Sequence, residues 1–244
     1  MNMKIKDYLN YLVEWIREEV KKANQKGVIV GISGGIDSAV VAALAKKAFP
    51  NDYITLWMPC NSSELDEKCK EELIKKLDLK NVTVDLIKPF ESISNSLNDS
   101  GINQSKLALA NTKARLRMSL LYSMAQTHNY LVLGTDNADE WHIGYFTKFG
   151  DGGVDLLPII KLLKREVREA AKILGIPDSI INRAPTASLW ENQTDESEIG
   201  FSYDLIDDYL SGKQVNNEVK ERVDYLHKIS EHKRISAPMP KNIR

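Results

Sequence analysis

Val28-Ile-Val-Gly-Ile-Ser-Gly-Gly-Ile-Asp-Ser-Ala-Val-Val-Ala-Ala-Leu-Ala-Lys-Lys-Ala48 reads as strand, tight turn and helix in succession. Val28–Ile32 is a short, β-branched apolar run that stops at Ser33-Gly-Gly-Ile-Asp-Ser38. The following segment is helical by its Ala and Leu content and closes at Pro50. Upstream, Tyr8, Leu9, Leu12, Ile16 and Val20 recur at intervals of three and four, which makes an amphipathic helix that stops near Gly27. Downstream the order repeats. Tyr53–Met58 is expected as a strand, Glu64–Leu77 as a helix, Val82–Ile87 as a strand, Lys106–Gln126 as a long helix and Tyr130–Gly134 as a strand. Strands alternating with helices require right-handed crossovers, so the expected fold is doubly wound α/β: a mostly parallel sheet with helices on both faces, in a single domain spanning 1–244.

After Gly134 comes a polar, glycine-rich stretch, Thr135–Asp155, too long for a plain connection. A helix from Lys161 to Leu174 follows, its end marked by Gly175 and Pro177. From Ala184 to Gly212 there are seven acids and no Lys or Arg, whereas Lys220–Arg244 carries seven bases against three acids. Such segregation is read either as a solvated acidic loop beside a basic helix, or as a mobile lid over 183–200 with a basic segment at 220–244. The whole chain of 244 residues is nearly neutral, with 33 Lys+Arg against 34 Asp+Glu, which gives no general field for nucleic acid or membrane. Its longest apolar run, Ala39–Ala45, is far below the ~20 residues of a spanning helix, and the charged N-terminus does not read as a secretory signal. A cytoplasmic setting follows as the expectation, with Cys60 and Cys69 reduced and structural.

The Gly31–Ser38 loop carries the chemistry. A loop leading from a parallel strand into a helix offers free backbone N–H groups and the positive end of the helix dipole, where anions bind. Gly34 and Gly35 are expected to let a phosphate approach the backbone, with Ser33 and Ser38 adding hydroxyls. Asp37 would repel that phosphate unless a divalent cation lay between them, so it points to Mg²⁺ bound through carboxylates and substrate phosphates. A bland reading is also available, a glycine turn with an Asp/Ser helix cap. No Lys follows the glycines, so the loop is not a Walker A, and it is not a dinucleotide GxGxxG.

SGGIDS resembles the phosphate loop of the ATP pyrophosphatases, which split ATP into AMP and pyrophosphate to activate an oxygen. Five further blocks narrow the resemblance: NTKARLRM (Asn111–Met118), LGTDNADE (Leu133–Glu140), GYFTKFGDGGVDLLP (Gly144–Pro158), RAPTASLW with QTDESEIG (Arg183–Gly200) and EHKR (Glu231–Arg234). Together they resemble ammonia-dependent NAD synthetase over nearly the whole chain. That resemblance implies amidation of deamido-NAD through an acyl-adenylate, with ATP and ammonia as co-substrates and Mg²⁺ as cofactor. It assigns ATP to Gly31, Ile32, Ser33, Gly34, Gly35, Ile36, Asp37, Ser38, Thr135, Lys164 and Thr186. It assigns Mg²⁺ to Asp37 and Glu140, and deamido-NAD to Arg115, Lys148, Asp155, His232 and Lys233, with Asp37, Glu140 and Lys164 as catalytic. Without the resemblance, Glu140 is an exposed loop acid, Thr135 a helix cap and Lys164 a solvated helix lysine. Tyr145, Phe146 and Phe149 offer flat faces for a ring, although aromatics at this spacing more often pack a core.

The resemblance also implies a homodimer with a shared dinucleotide site, a role suited to the long helix carrying Arg115, which is apolar on more than one face. No block corresponds to a glutaminase, so free ammonia is the expected nitrogen donor, with a separate glutaminase as a possible partner. Competing readings keep the loop and change the acceptor, as in guanine-nucleotide amidation or tRNA thiolation, or reduce the chain to an ATP-binding module.

Overall fold

The computed structural model describes residues 3–185 and 195–241. Helix α1 (Ile5–Lys22) leads into β1 (Gly27–Ile32), α2 (Ile36–Ala48), β2 (Tyr53–Trp57), α3 (Glu64–Leu77) and β3 (Asn81–Thr83). Two helices, α4 (Ile87–Asp99) and α5 (Lys106–His128), then precede β4 (Tyr130–Leu133). The remainder is helical: α6 (Ala138–Ile143), α7 (Lys164–Leu174), α8 (Asp178–Ile181), α9 (Asp195–Ile199), α10 (Tyr203–Leu210), α11 (Asn217–Ile229) and α12 (Glu231–Arg234).

The four strands form one parallel sheet in the order β3-β2-β1-β4. The doubly wound α/β expectation holds. Val28 pairs with Tyr53 on one side of β1 and with Leu131 on the other, which makes β1 a central strand and explains its continuous apolar run. The chain leaves β1 towards β2 and β3 and returns on the opposite side as β4. The order therefore reverses at β1, and a crevice opens beyond the carboxyl ends of β1 and β4, where open α/β sheets bind ligands.

Two cores cover the sheet. On one face α1, α2 and α7 pack together, and Ala39, Val40, Val41, Ala42, Leu44 and Ala45 of α2 are all at 0% exposure. A helix buried all round has no single apolar stripe, which is why α2 is rich in small residues on every side. Helix α1 supplies the outer layer, burying Leu9, Leu12, Val13, Ile16 and Val20, the stripe its sequence periodicity marks. On the other face α5 lies across β1 and β4, packing Leu116, Leu120, Leu121 and Met124 against Ile29 and Val132. A third cluster joins α6, α10 and α11 through Ile143, Tyr203, Ile206 and Val223, and sets the C-terminal helices beside the crevice.

Several elements differ from the sequence expectation. The strand expected over Val82–Ile87 is regular only at Asn81–Thr83, and Ile87 opens a helix. Asp85 accepts the Ile87 N–H at 2.7 Å, and Pro89 sits in the first helical turn, where no N–H is required. Extended chain nevertheless continues past β3, since Val84 and Leu86 donate to the carbonyls of Trp57 and Pro59. The Thr135–Asp155 stretch contains α6, started by a capping box in which the Asn137 side chain accepts from the Asp139 and Glu140 N–H groups. The helix expected from Lys161 begins at Lys164, and the acidic 184–212 stretch holds α9 and α10. Cys60 and Cys69 are both buried, free thiols.

Because Ile16 is at 0% exposure between α1 and the sheet-covering helices, Ile16→Ala is expected to lower the unfolding free energy by about 2–5 kcal/mol. Urea denaturation followed by circular dichroism checks this; a change below about 0.5 kcal/mol would mean α1 is not part of the cooperative core.

Candidate active site

The crevice is a cavity of about 780 Å³ beyond the carboxyl ends of β1 and β4. Its wall includes Gly31, Ile32, Ser33, Gly35, Ile36, Asp37, Ser38, Thr135, Glu140 and Lys164, together with Arg115, Lys148, His232 and Lys233. The residues assigned by sequence to two ligands thus share one cavity. Three assigned positions stand apart: Gly34 and Asp155 are not on its wall, and Thr186 lies outside the described residues. The expected 183–200 lid falls largely on residues 186–194, which are likewise outside them.

The Gly31–Ser38 loop is braced from within. Ser38 Oγ accepts the Ser33 N–H at 3.1 Å and donates to the Gly35 carbonyl at 3.0 Å, while Ser33 Oγ accepts the Gly35 N–H at 3.2 Å. The two hydroxyls shape the turn rather than standing free. Gly35 occupies the N-cap of α2 without a side-chain cap, so the first turn of that helix opens towards the cavity. Gly34 also meets a steric demand the sequence does not reveal: its φ is +80°, and a Cβ there would stand 2.7 Å from the Asp66 carbonyl oxygen, so the approach of α3 requires glycine. Arg183 ties the same corner together, donating to Asp66 Oδ1 at 2.6 Å. Burial opposes ionisation of Asp66, but Arg183 and Ser63 outweigh it and hold the carboxyl below the usual range.

At the centre stands Lys164, which the resemblance assigns to ATP and to catalysis; it is at 2% exposure, unlike the solvated lysine that an isolated helix position would suggest. Its Nζ donates to Asp37 Oδ2 at 2.6 Å and to Glu140 Oε1 at 3.3 Å. Asn137 joins the same two acids, with Nδ2 donating to Asp37 Oδ1 at 2.8 Å and the backbone N–H to Glu140 Oε2 at 3.2 Å. The Lys164 backbone N–H is fixed by Asp139 Oδ2 and Asp207 Oδ1 at 2.8 and 2.9 Å. Burial opposes the Lys164 charge, yet Asp37 and Glu140 outweigh it and raise its pKa. Glu140 is pushed up to about 7, chiefly by burial and then by Asp37 and Asp195, against the pull of Lys164. Asp139 is pushed up to about 8 by burial and by Asp207, and burial together with Asp151, Glu140 and Asp37 raises Asp136 well above the carboxylate range. Asp136 Oδ2 and Asp139 Oδ1 are buried without a hydrogen-bond partner among the described residues, which suits carboxyls held neutral.

Among the described residues no group of three or more His, Cys, Asp or Glu side chains forms a metal cage. Asp37 and Glu140 do converge on the Lys164 ammonium and on Asn137, whose side-chain amide meets Asp37 and whose backbone N–H meets Glu140, at the mouth of a phosphate-type loop. Two carboxylates with the remaining positions left to water and phosphate oxygens is a donor set that fits Mg²⁺ and not a closed protein site.

The cations of the wall rest on backbone carbonyls. Lys233 donates to the Gly144 and Phe146 carbonyls, both at 2.7 Å, and Lys148 donates to the His232 carbonyl. Arg115 donates to the Lys148 carbonyl at 3.3 Å. Arg234 holds α12 in place through the carbonyls of Trp141 and His142, both at 3.1 Å. Of the aromatics, Phe146 is buried and stacked on Trp141 at 4.8 Å, whereas Phe149 is exposed and Tyr145 donates to Asp195 and Glu198 at 3.2 and 2.5 Å. Asp155 is engaged behind β4, accepting from the Val132 N–H at 2.8 Å and the Tyr122 hydroxyl at 3.0 Å. Sequence reasoning passed over Asn137, Tyr203, Asp195 and Arg183. Only Asn137 had a signal, the Asn-x-x-Glu spacing of a capping box.

Glu140 and Asp139 have folded pKa values above their ordinary 4.5 and 3.8, so the folded chain holds protons there that the unfolded chain releases. Their contribution to stability is complete below about pH 4 and is lost as pH rises towards 7 and 8. In chelator-treated buffer the melting temperature is expected to decline over this window, and Glu140→Gln to flatten the decline up to about pH 7. An unaltered pH profile in that variant would sink the assignment.

Comparison with known proteins agrees with this geometry. The NAD synthase family profile matches residues 8–237. A protein of Mesoplasma florum described as an NH3-dependent NAD+ synthetase is 66% identical over 242 residues, covering 99% of each chain. Among solved structures, an NMN synthetase from Francisella tularensis has a TM-score of 0.93 at 41% identity, covering 98% of this chain and 99% of its own. An NH3-dependent NAD synthetase from Campylobacter jejuni, solved with nitrate, has a TM-score of 0.80 at 28% identity, covering 98% of this chain and 100% of its own. With a family profile across nearly all of its length and relatives that are equally long, the chain belongs to the NAD synthase family.

Proposed function

We propose that the chain is a ligase that converts the nicotinate carboxylate of deamido-NAD to the amide of NAD, consuming ATP and free ammonia. The observation that carries this reading is the Lys164 ammonium held between Asp37 and Glu140 at the end of the Gly31–Ser38 loop. A carboxylate resists amines, because its charge repels them and oxide is a poor leaving group. Its oxygen therefore attacks the α-phosphorus of ATP, releasing pyrophosphate and leaving an acyl-adenylate. Ammonia then adds to the acyl carbon and AMP departs. The protein has no need of its own nucleophile, only of positive charge and N–H donors where pyrophosphate leaves.

The open first turn of α2, Lys164 and Thr135 would receive the triphosphate, and Thr186 is assigned there from sequence. Mg²⁺ held by Asp37 and Glu140 would supply Lewis acidity and neutralise the phosphate charge. Arg115, Lys148 and Lys233, with His232 beside them, supply the charge and donors that suit the two phosphates of a dinucleotide. Asp155, assigned to deamido-NAD by sequence, would act at one remove, by holding the edge of β4. A cytoplasmic setting accords with these substrates, and among the described residues no helix is long and apolar enough to cross a membrane.

The neighbour with a TM-score of 0.93 is described as an NMN synthetase, which favours a second reading with a nicotinate mononucleotide as acceptor. The carboxylate chemistry is the same, and only the second nucleotide is lost. With MgATP and ammonium, deamido-NAD is expected to yield NAD, AMP and pyrophosphate in equal amounts by chromatography. Faster turnover of the mononucleotide would transfer the assignment to the second reading, and ATP cleavage with neither acceptor would keep only the ATP pyrophosphatase chemistry. Glutamine is expected to support no turnover unless a separate glutaminase is added.

We further propose a homodimer built on α4, α5 and the connection between them, where Ile93, Ile102 and Leu107 are exposed at 39%, 52% and 62%. Sedimentation with parallel assays is expected to show activity falling with the dimer on dilution. A fully active monomer would exclude a shared site.

A further inference from the structure

Tyr203 belongs to α10 and takes part in the α6–α10–α11 cluster, yet its hydroxyl reaches the reaction centre. The side chain is at 0% exposure. Its hydroxyl stands 3.3 Å from Glu140 Oε1 and 3.1 Å from Asp195 Oδ2, and the Lys164 ammonium lies 4.6 Å above its ring. Asp195 is itself fixed, its other oxygen accepting from Tyr145 at 3.2 Å. A phenol in a core needs one partner for its O–H. This one is set between two carboxylates, one of them a wall residue assigned to the metal.

We propose that Tyr203 is a positioning residue that holds the Glu140 carboxylate in the orientation needed for a divalent cation, with Asp195 as its anchor. Asp37 and Glu140 pair with the Lys164 ammonium, and Asp195 joins this acidic group through the Tyr203 hydroxyl. Lys164 lies closer to Asp37, at 2.6 Å, than to Glu140, at 3.3 Å, so the orientation of Glu140 depends more on its other partners. The Tyr203 hydroxyl shares its one proton between Asp195 Oδ2 and Glu140 Oε1 and, together with the Asn137 N–H on the other Glu140 oxygen, stops the carboxyl from rotating away. Partners of this kind fix the direction of a ligand's lone pairs before the cation arrives. The ring contributes separately, through its face to Lys164, so removing the hydroxyl alone isolates the positioning effect.

This inference rests on the assignment of Glu140 as a metal carboxylate, and the experiment separates the two. Mn²⁺ binding is measured by electron paramagnetic resonance with saturating α,β-methylene-ATP, in wild type, Tyr203→Phe, Glu140→Gln and the double variant, alongside kcat and the KM for ammonium. Tyr203→Phe is expected to weaken Mn²⁺ binding about tenfold and lower kcat while leaving the ammonium KM unchanged. In the Glu140→Gln background the same substitution should have no further effect on Mn²⁺, whereas a merely structural role would make the two losses add. Should Tyr203→Phe fail to fold, Asp195→Ala carries the same cycle, with a several-fold loss in the wild-type background and none in the Glu140→Gln background. Wild-type-like Mn²⁺ binding in Tyr203→Phe, or additive losses, overturns the positioning role. Undiminished Mn²⁺ binding in Glu140→Gln overturns the metal assignment instead.

Discussion

The ion pair of Lys164 with Asp37 and Glu140 is the constraint around which the crevice is arranged. Asp37 comes from the first turn of α2 after β1, Glu140 from α6 after β4, and Lys164 from the first residue of α7. One ammonium therefore draws together the two sides of the topological switch and the helix that packs on α2. Burying such charges is costly unless the geometry satisfies them, and breaking one partner leaves the others exposed to that cost. The chain meets this by surrounding the cluster with further donors. Asn137 holds both acids, Asp139 and Asp207 fix the lysine backbone, and Arg165 in turn holds Asp207 at 2.8 Å.

The cluster still has more acid than base. Burial and like charge push Glu140 up to about 7, and the surplus is the electrostatic vacancy that a divalent cation with its phosphates would fill. The cations of the wall are held differently. Lys233 and Lys148 are oriented by carbonyl oxygens instead of carboxylates. Burial lowers the Lys233 pKa, with Asp151 and Asp136 working against it. One cavity thus brings the Asp37–Glu140 pair together with Lys148 and Lys233, whose ammonium groups are directed by carbonyl oxygens, Lys233 being partly balanced by Asp151 and Asp136. That combination, more than any single contact, is what connects the fold to amide synthesis.

Helix α6 links the two groups. Its capping residue Asn137 and first-turn Glu140 face the acid cluster, while the Trp141 and His142 carbonyls at its far end anchor Arg234 and with it the α12 segment that carries His232 and Lys233. His142 and His227 stack there at 4.2 Å, and burial, His227 and Arg234 depress His142 to about 4, so the His142 imidazole is neutral near pH 7. The positions of both groups thus depend on a short helix that sequence alone presents as part of a long polar loop.

Local chemistry was legible in the sequence wherever a residue's role follows from its neighbours along the chain. The apolar run of β1, the glycines of the turn, the amphipathic spacing of α1 and the alternation of strands with helices determine a parallel α/β sheet with an anion-binding loop at its switch point. Asp37 and Glu140 could be paired from motif resemblance because each sits just past a strand end. What the tertiary structure decided concerns long-range partners. Gly34 is needed for Asp66, Asp155 is spent on Val132, Lys164 is buried instead of solvated, and Tyr203 reaches Glu140 from sixty-three positions away. None of these has a periodic or local signature, because a buried charge or hydroxyl is stabilised only by whichever groups the completed packing brings within hydrogen-bond distance.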